Sequence, residues 1–387
     1  MNTEIHTPSP GPLSFPLETG HEAETVRGAW DSSYMNTPNP AIAPDAELTW
    51  VPPVPLEWRT VVFAFQHGRR DPSLRINAHD AWRAVRYPSG IAEVRIVPEG
   101  LSASAIAGGT MRVRSAQDNR GAARGLGGAL ARQIRFQAWG PGAEEALQDA
   151  PDWLGRSDDW SEFDSLADLP PLVQRMRSER PGLLLGSSGT LPEHLAAAIL
   201  AQKVTAHEAF GAWLRLVSRF GDPSPGPMGK AGELFVPPAG ATWKRIPSWE
   251  WHQARVDSKR RNTLVHALER ESALRRLQDT VPAGGANSGL IQIESALRSI
   301  PGIGVWTAAE VLQRSHGSGD HVSFGDYHVA HNVGWALTGR RATDREMEQL
   351  LAPWAGQRQR VVRLLAEGGA TKQRMGPRLH ANDHRWH

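Results

Sequence analysis

Two residues carry the chemistry this chain could perform. One is Asp326, set in Gly325-Asp326-Tyr327-His328; the other is Trp306, twenty residues earlier. An aspartate at a helix start is held as the anion by the helix dipole. Such a fixed carboxylate can stabilise a cation that develops beside it, and can orient or deprotonate a water. The commonest structural duty of an aspartate there is the N-cap, and one carboxylate can serve both roles. Trp306 offers an electron-rich face to a cationic ring, or packs between hairpin and core. Glu310 follows one helical turn later. Its carboxylate could attract a cationic group, accept a hydrogen bond, or stand solvated.

These side chains need a rigid frame, and one is legible in Leu297-Arg298-Ser299-Ile300-Pro301-Gly302-Ile303-Gly304-Val305-Trp306-Thr307-Ala308-Ala309. Ile293, Leu297 and Ile300 repeat at i, i+4, i+7, one apolar helical face. Pro301 cannot continue that helix, and Gly302 and Gly304 permit a turn with positive φ and close backbone approach. Val305, Ala309 and Leu312 begin a second apolar face. The pattern predicts two helices joined by a tight hairpin. Exposed amides at the start of the second helix suit a phosphate oxygen. The plain alternative is an αα-hairpin whose glycines serve only the turn.

Ile300-Pro301-Gly302-Ile303-Gly304-Val305-Trp306-Thr307-Ala308 resembles the helix-hairpin-helix of the DNA glycosylase superfamily. The spacing to Asp326 is similar to that between hairpin and catalytic aspartate in that superfamily. Trp306-Thr307-Ala308 and Asp326-Tyr327 resemble the 3-methyladenine DNA glycosylase II branch. The likeness runs weakly from about Trp58 to about Leu365 and is strongest at 181–221 and 297–329.

The resemblance implies an α+β, mostly α fold: a small antiparallel-sheet N-terminal domain and an all-helical core. It implies a monofunctional glycosylase of base excision repair that removes alkylated purines, 3-methyladenine first, from duplex DNA by flipping the base. Asp326 would be catalytic, with Trp306, Glu310 and Tyr327 at the substrate pocket. Gln202, Lys203 and Thr205 would meet DNA where the base leaves the stack, and Gly302, Gly304 and Thr307 would meet it at the hairpin. No cofactor is expected for the chemistry. A structural Na or K ion would sit on the backbone carbonyls of Arg298, Ile300 and Ile303. Bifunctional relatives carry a Schiff-base lysine where this chain has Trp306. Three departures stand out: Lys203 replaces an apolar residue, Glu310 replaces a tyrosine, and a late pocket tryptophan falls near Arg363.

Composition sets outer limits. At 387 residues the chain has room for two or three domains. Its net charge is +2 and its pI about 9.1, compatible with a nucleic-acid partner. With no cysteine, disulfides, thiolate zinc sites and a cysteine-ligated iron–sulfur cluster are excluded. No run approaches the ~18 apolar residues of a membrane span, and the first residues do not read as an export signal. A monomer acting in the cytoplasm on the nucleoid is the expectation. Of the fifteen tryptophans, most should pack in cores.

The organisation follows from local patterns. Residues 1–46 lack apolar periodicity and read as a disordered arm. Residues 47–118 read as the sheet domain, 119–369 as the helical region, and 370–387 as a flexible tail. Residues 60–65 fit a strand or a helix start, and the family resemblance favours a helix. Hairpins are predicted at Pro88-Ser89-Gly90 and at Gly108-Gly109. Arg83, Arg86, Arg95, Arg112 and Arg114 could line a DNA-facing strip, although a solvated sheet face is the better reading. Residues 123–136 read as a helix. Thr190, Thr205 and Thr343, each followed three residues later by Glu, predict capping boxes. Residues 249–270 read as one basic helix. His380, His384 and His387 have helical metal-ligand spacing, but in a polar tail this is a weak signal.

Overall fold

The computed structural model describes residues 42–101, 130–284 and 287–368. Five strands, β1 (Ala46–Trp50), β2 (Leu74–Ile76), β3 (Ala81–Tyr87), β4 (Gly90–Glu99) and β5 (Gln133–Trp139), form one antiparallel sheet in the order β1-β5-β4-β3-β2. The hairpin at Pro88-Ser89-Gly90 closes β3 on β4 in the register Tyr87↔Gly90 to Ala81↔Ile96. The second predicted hairpin, Arg112, Arg114, most of the N-terminal arm and the C-terminal tail lie outside the described residues.

Residues 133–136 correct the helix expected at 123–136, because they open β5. Ile134, Phe136 and Ala138 alternate with polar neighbours and are fully buried. That period of two fits a half-buried strand. The sheet therefore takes its last strand from beyond residue 118. It also reaches back into the expected arm: Ala46 begins β1, and the Trp139 indole N–H donates to the carbonyls of Ile42 and Ala43.

Among the described residues there are sixteen α-helices. They are α1 (Trp58–Phe63), α2 (Ala143–Trp153), α3 (Ser161–Asp164), α4 (Pro171–Glu179), α5 (Leu191–Leu200), α6 (Ala206–Phe220), α7 (Pro227–Lys230) and α8 (Gly240–Arg245). There follow α9 (Ser248–Gln253), α10 (Ser258–Leu268), α11 (Glu271–Gln278), α12 (Asn287–Arg298), α13 (Val305–Ser315), α14 (Val329–Thr338), α15 (Asp344–Leu351) and α16 (Arg358–Glu367). None is long and apolar enough to cross a membrane. The expected basic helix at 249–270 is two helices, α9 and α10, broken where Arg255 adopts φ 57°. Arg260 is buried there, tied to Asp257 and to the carbonyls of Leu200 and Arg255, so it braces α10.

Two large cores organise these elements. One unites the inner face of the sheet with α2 and the late helices, through Phe136, Trp153, Val322, Met347 and Leu364. The other is wholly helical and holds Leu195, Trp213, Leu264, Leu297, Ile303 and Leu312. The sheet thus shares its core with the last helices of the chain, a long-range union that local patterns do not encode.

Among the described residues, Arg83, Arg86 and Arg95 do not form a strip. Antiparallel register places Trp82 opposite Arg95 and Arg83 opposite Val94, so Arg83 and Arg95 project from opposite faces. Arg95 pairs with Asp80 and Arg86 with Asp222. Arg83 is 2 % exposed and lies over the Trp153 ring. It donates to the Thr190 hydroxyl at 2.9 Å and meets Glu193 at 3.8 Å. This contact explains why the first predicted capping box does not form: Thr190 makes no side-chain cap to α5, its oxygen being engaged by Arg83 and Ser188. The boxes at Thr205/Glu208 and Thr343/Glu346 both form.

Candidate active site at the hairpin

The predicted hairpin joins α12 to α13. The Ile300 amide donates to the Leu297 carbonyl and the Ile303 amide to the Ile300 carbonyl, both at 3.0 Å. Gly302 has φ 91°, and a β-carbon there would sit 2.6 Å from the Thr263 hydroxyl. Glycine is required twice over, by backbone conformation and by the closeness of α10. Gly304 caps α13 with no side chain, and open space surrounds it. The first amides of α13 are therefore uncovered, an arrangement that suits an anionic oxygen.

Gln202, in the turn between α5 and α6, locks onto this hairpin. Its side-chain amide donates to the Gly302 carbonyl and the Thr307 hydroxyl, each at 2.9 Å. Thr307 is buried, so it supports the hairpin from within through its bond to Gln202. Lys203 is exposed and holds φ 55°, a left-handed conformation uncommon for a side-chain-bearing residue. Thr205 is occupied in its capping box, accepting from the Glu208 amide.

Asp326 faces Trp306. Its Oδ1 accepts from the amides of His328 (2.8 Å) and Val329 (3.1 Å), and its Oδ2 lies 3.4 Å from the Trp306 indole nitrogen. One oxygen holds the turn that leads into α14, and the other accepts from the tryptophan. Val322 and Ala330, which flank this segment, belong to the mixed core, whereas Ile303 and Ala308, which flank Trp306, belong to the helical core. The Asp326–Trp306 pair spans the two.

The loop that delivers Asp326 is anchored by residues the sequence reading missed. Gln313 donates to the His321 carbonyl (2.8 Å) and the Ser323 hydroxyl (3.0 Å). Ser323 in turn donates to Glu310, whose other oxygen pairs with Arg314 at 2.9 Å. Glu310 thus bridges α13 and the loop. Gly325 turns the chain at φ 88°, and its amide donates to Asp344. A capping-type signal marks Asp344, since it opens α15, but nothing local links it to Gly325. Tyr327 stands 69 % exposed, its ring beside His328 and His331. Arg363 donates to the Thr60 carbonyl of α1.

The architecture has counterparts among solved structures. A 3-methyladenine DNA glycosylase from Archaeoglobus fulgidus aligns at TM-score 0.59 and 15 % identity, over 83 % of this chain and 97 % of that one. MBOgg1 in complex with a low-affinity DNA ligand aligns at TM-score 0.56 and 12 % identity, over 84 % and 95 %. The chain has the fold of DNA glycosylases. The Clostridium acetobutylicum 8-oxoguanine glycosylase/lyase, in complex with double-stranded DNA containing cytosine opposite 8-oxoguanine, shares this glycosylase fold at TM-score 0.52 and 10 % identity, over 85 % and 99 %. No protein-family model and no curated protein matches the chain in sequence.

Proposed function

We propose that the protein is a monofunctional DNA glycosylase of base excision repair, acting as a monomer at the nucleoid on alkylated purines, 3-methyladenine first. The observation that carries this reading is the Asp326 carboxylate, fixed by two backbone amides with its second oxygen toward Trp306. As the base departs, positive charge develops on the deoxyribose. A pre-oriented carboxylate stabilises that charge without reorganising and can then orient or deprotonate the attacking water. Flipping the base costs on the order of a few kcal/mol, less for damaged bases. The Trp306 face would stabilise a cationic alkylated purine.

The uncovered amides at Gly304 would take a backbone phosphate, and the turn at Gln202 and Lys203 would enter the duplex. A lysine there fills space with its methylenes while its ammonium seeks a phosphate. The Ile300 carbonyl has a second lone pair beyond its bond to Ile303, so with Arg298 and Ile303 it could hold a Na or K ion that helps grip the phosphate. Trp306 cannot form a Schiff base, which supports release of the base without strand cleavage.

A second reading, a glycosylase with another lesion preference, is favoured by one observation. Glu310, held by Ser323 and Arg314, puts a fixed charge one turn after Trp306. The test is single-turnover base release from duplexes carrying methylated and oxidised bases, with wild type beside Asp326→Asn. Release of 3-methyladenine with intact strands, lost in the variant while DNA binding persists, upholds the main reading. Release of only an oxidised base replaces it with the second. No release from any lesion, with binding intact, makes the chain a DNA-binding protein. A borohydride-trapped adduct overturns the monofunctional assignment and points to Lys203.

A further inference from the structure

At the junction of the two cores lies a group of half-buried to buried donors that base release does not use. His67 follows α1, and Glu193 and His194 open α5. One ring nitrogen from each histidine and one oxygen of Glu193 lie within 4.8 Å of one another. His194 is 1 % exposed, and its Nδ1 has no hydrogen-bond partner; the buried Nε2 of His67 has none either. A buried polar atom left without a partner is costly, and two in contacting rings call for a common acceptor of lone pairs. The rings sit 5.7 Å apart, centre to centre.

We propose that His67, Glu193 and His194 form a binding site for one first-row divalent cation of the zinc type. Two imidazoles and a carboxylate are a donor set such ions accept, and three protein ligands leave a fourth position open. The surroundings resemble the outer support of a metal site. His194 Nε2 lies 2.8 Å from the Ser188 hydroxyl, which fixes the ring, and the His67 backbone amide donates to Asp71. The charges nearby nearly cancel. Arg83 and Arg314 oppose a cation; Glu193, Asp71 and Glu310 favour it.

The bound ion would join two cores. Phe65, beside His67, belongs to the mixed core, and α5 belongs to the helical one. Arg314, which donates to both the Ala64 carbonyl and Glu310, ties the same junction to the helix bearing Trp306. The ion's role is structural, and it takes no part in breaking the glycosidic bond.

The test is Co2+ titration of the chelator-stripped full-length protein, in which His380, His384 and His387 are all replaced by alanine to remove the tail's histidines. One equivalent of Co2+ should give visible ligand-field absorption, be displaced by Zn2+, and raise Tm as metal concentration rises. Ser188→Ala should weaken binding about tenfold through loss of ring support. His67→Ala and Glu193→Gln should each weaken it by more than about tenfold, with unchanged circular dichroism before metal is added. Absence of a stoichiometric spectrum in the tail-substituted protein overturns the proposal, and that measurement needs no variant at the site to fold. A spectrum indifferent to His67→Ala, Glu193→Gln and Ser188→Ala overturns it equally.

Discussion

Asp326 and Glu193 are both carboxylates at the beginning of a helix, yet they live in opposite surroundings. Asp326 is half-buried, held by backbone amides, with an oxygen left toward Trp306. Glu193 is enclosed by Arg83 and His194 and is pushed up to about 7, chiefly by burial. His67, beside it, is lowered to about 4, again chiefly by burial. The same functional group is thus oriented by backbone and an indole in one place and enclosed among charged side chains in the other. Backbone amides orient an anion without enclosing it, whereas at Glu193 burial outweighs the nearby Arg83 guanidinium and disfavours the charged form.

Breaking the two sites should therefore damage different properties. Asp326→Asn keeps an oxygen for the amides of His328 and Val329 but loses the charge. We expect single-turnover base release to fall about 10³-fold, close to 4 kcal/mol, with Tm nearly unchanged. A comparable fall in Tm would show that Asp326 acts mainly as a cap. Arg83→Ala should do the reverse. It leaves Glu193 without its guanidinium neighbour and strips a donor from the Thr190 hydroxyl, costing about 3 kcal/mol in urea unfolding. Folded Arg83→Ala protein should still release base. If stability holds, the buried cluster is not the brace described.

Two smaller effects sharpen the contrast at helix starts. Thr205→Ala removes a formed capping box and should cost about 1 kcal/mol of unfolding free energy. The smallest effect belongs to Glu346, held at about 2 first by the Thr343 amide and then by Arg340 and the Thr343 hydroxyl. Its folded value lies below the unfolded one. Its contribution is thus complete above about pH 4.5 and is lost as pH falls through about 2. Glu346 is exposed, so screening keeps the effect small. Urea midpoints of wild type and Glu346→Gln should differ slightly at neutral pH and converge near pH 2; a gap that widens on acidification would reverse the sign.

The helix starts also show what local spelling can and cannot decide. Thr190-x-x-Glu193 and Thr205-x-x-Glu208 are the same motif fifteen residues apart, opening two helices of a shared core. The second reads true: the Thr205 hydroxyl accepts from the Glu208 amide and the Glu208 carboxylate from the Thr205 amide. The first fails because Arg83, distant in sequence, reaches Thr190 before the helix amide does. Over residues 133–136 the expected helix gives way for a related reason: β1 and β4 leave a place between them that an alternating segment fills.

The sequence by itself determined the hairpin and the spacing to Asp326. Proline, two glycines and flanking apolar periodicity constrain backbone within a few residues, where chain connectivity dominates. It also determined the capping of α6 and α15 and the β3–β4 turn. Only the tertiary structure decided that Glu310 meets Ser323, that Gln202 locks the hairpin, and that Arg83 is buried. These outcomes depend on which side chains meet across a hundred residues or more of chain, or across a loop fixed elsewhere. Packing and desolvation select those meetings, and neither is encoded by local spacing.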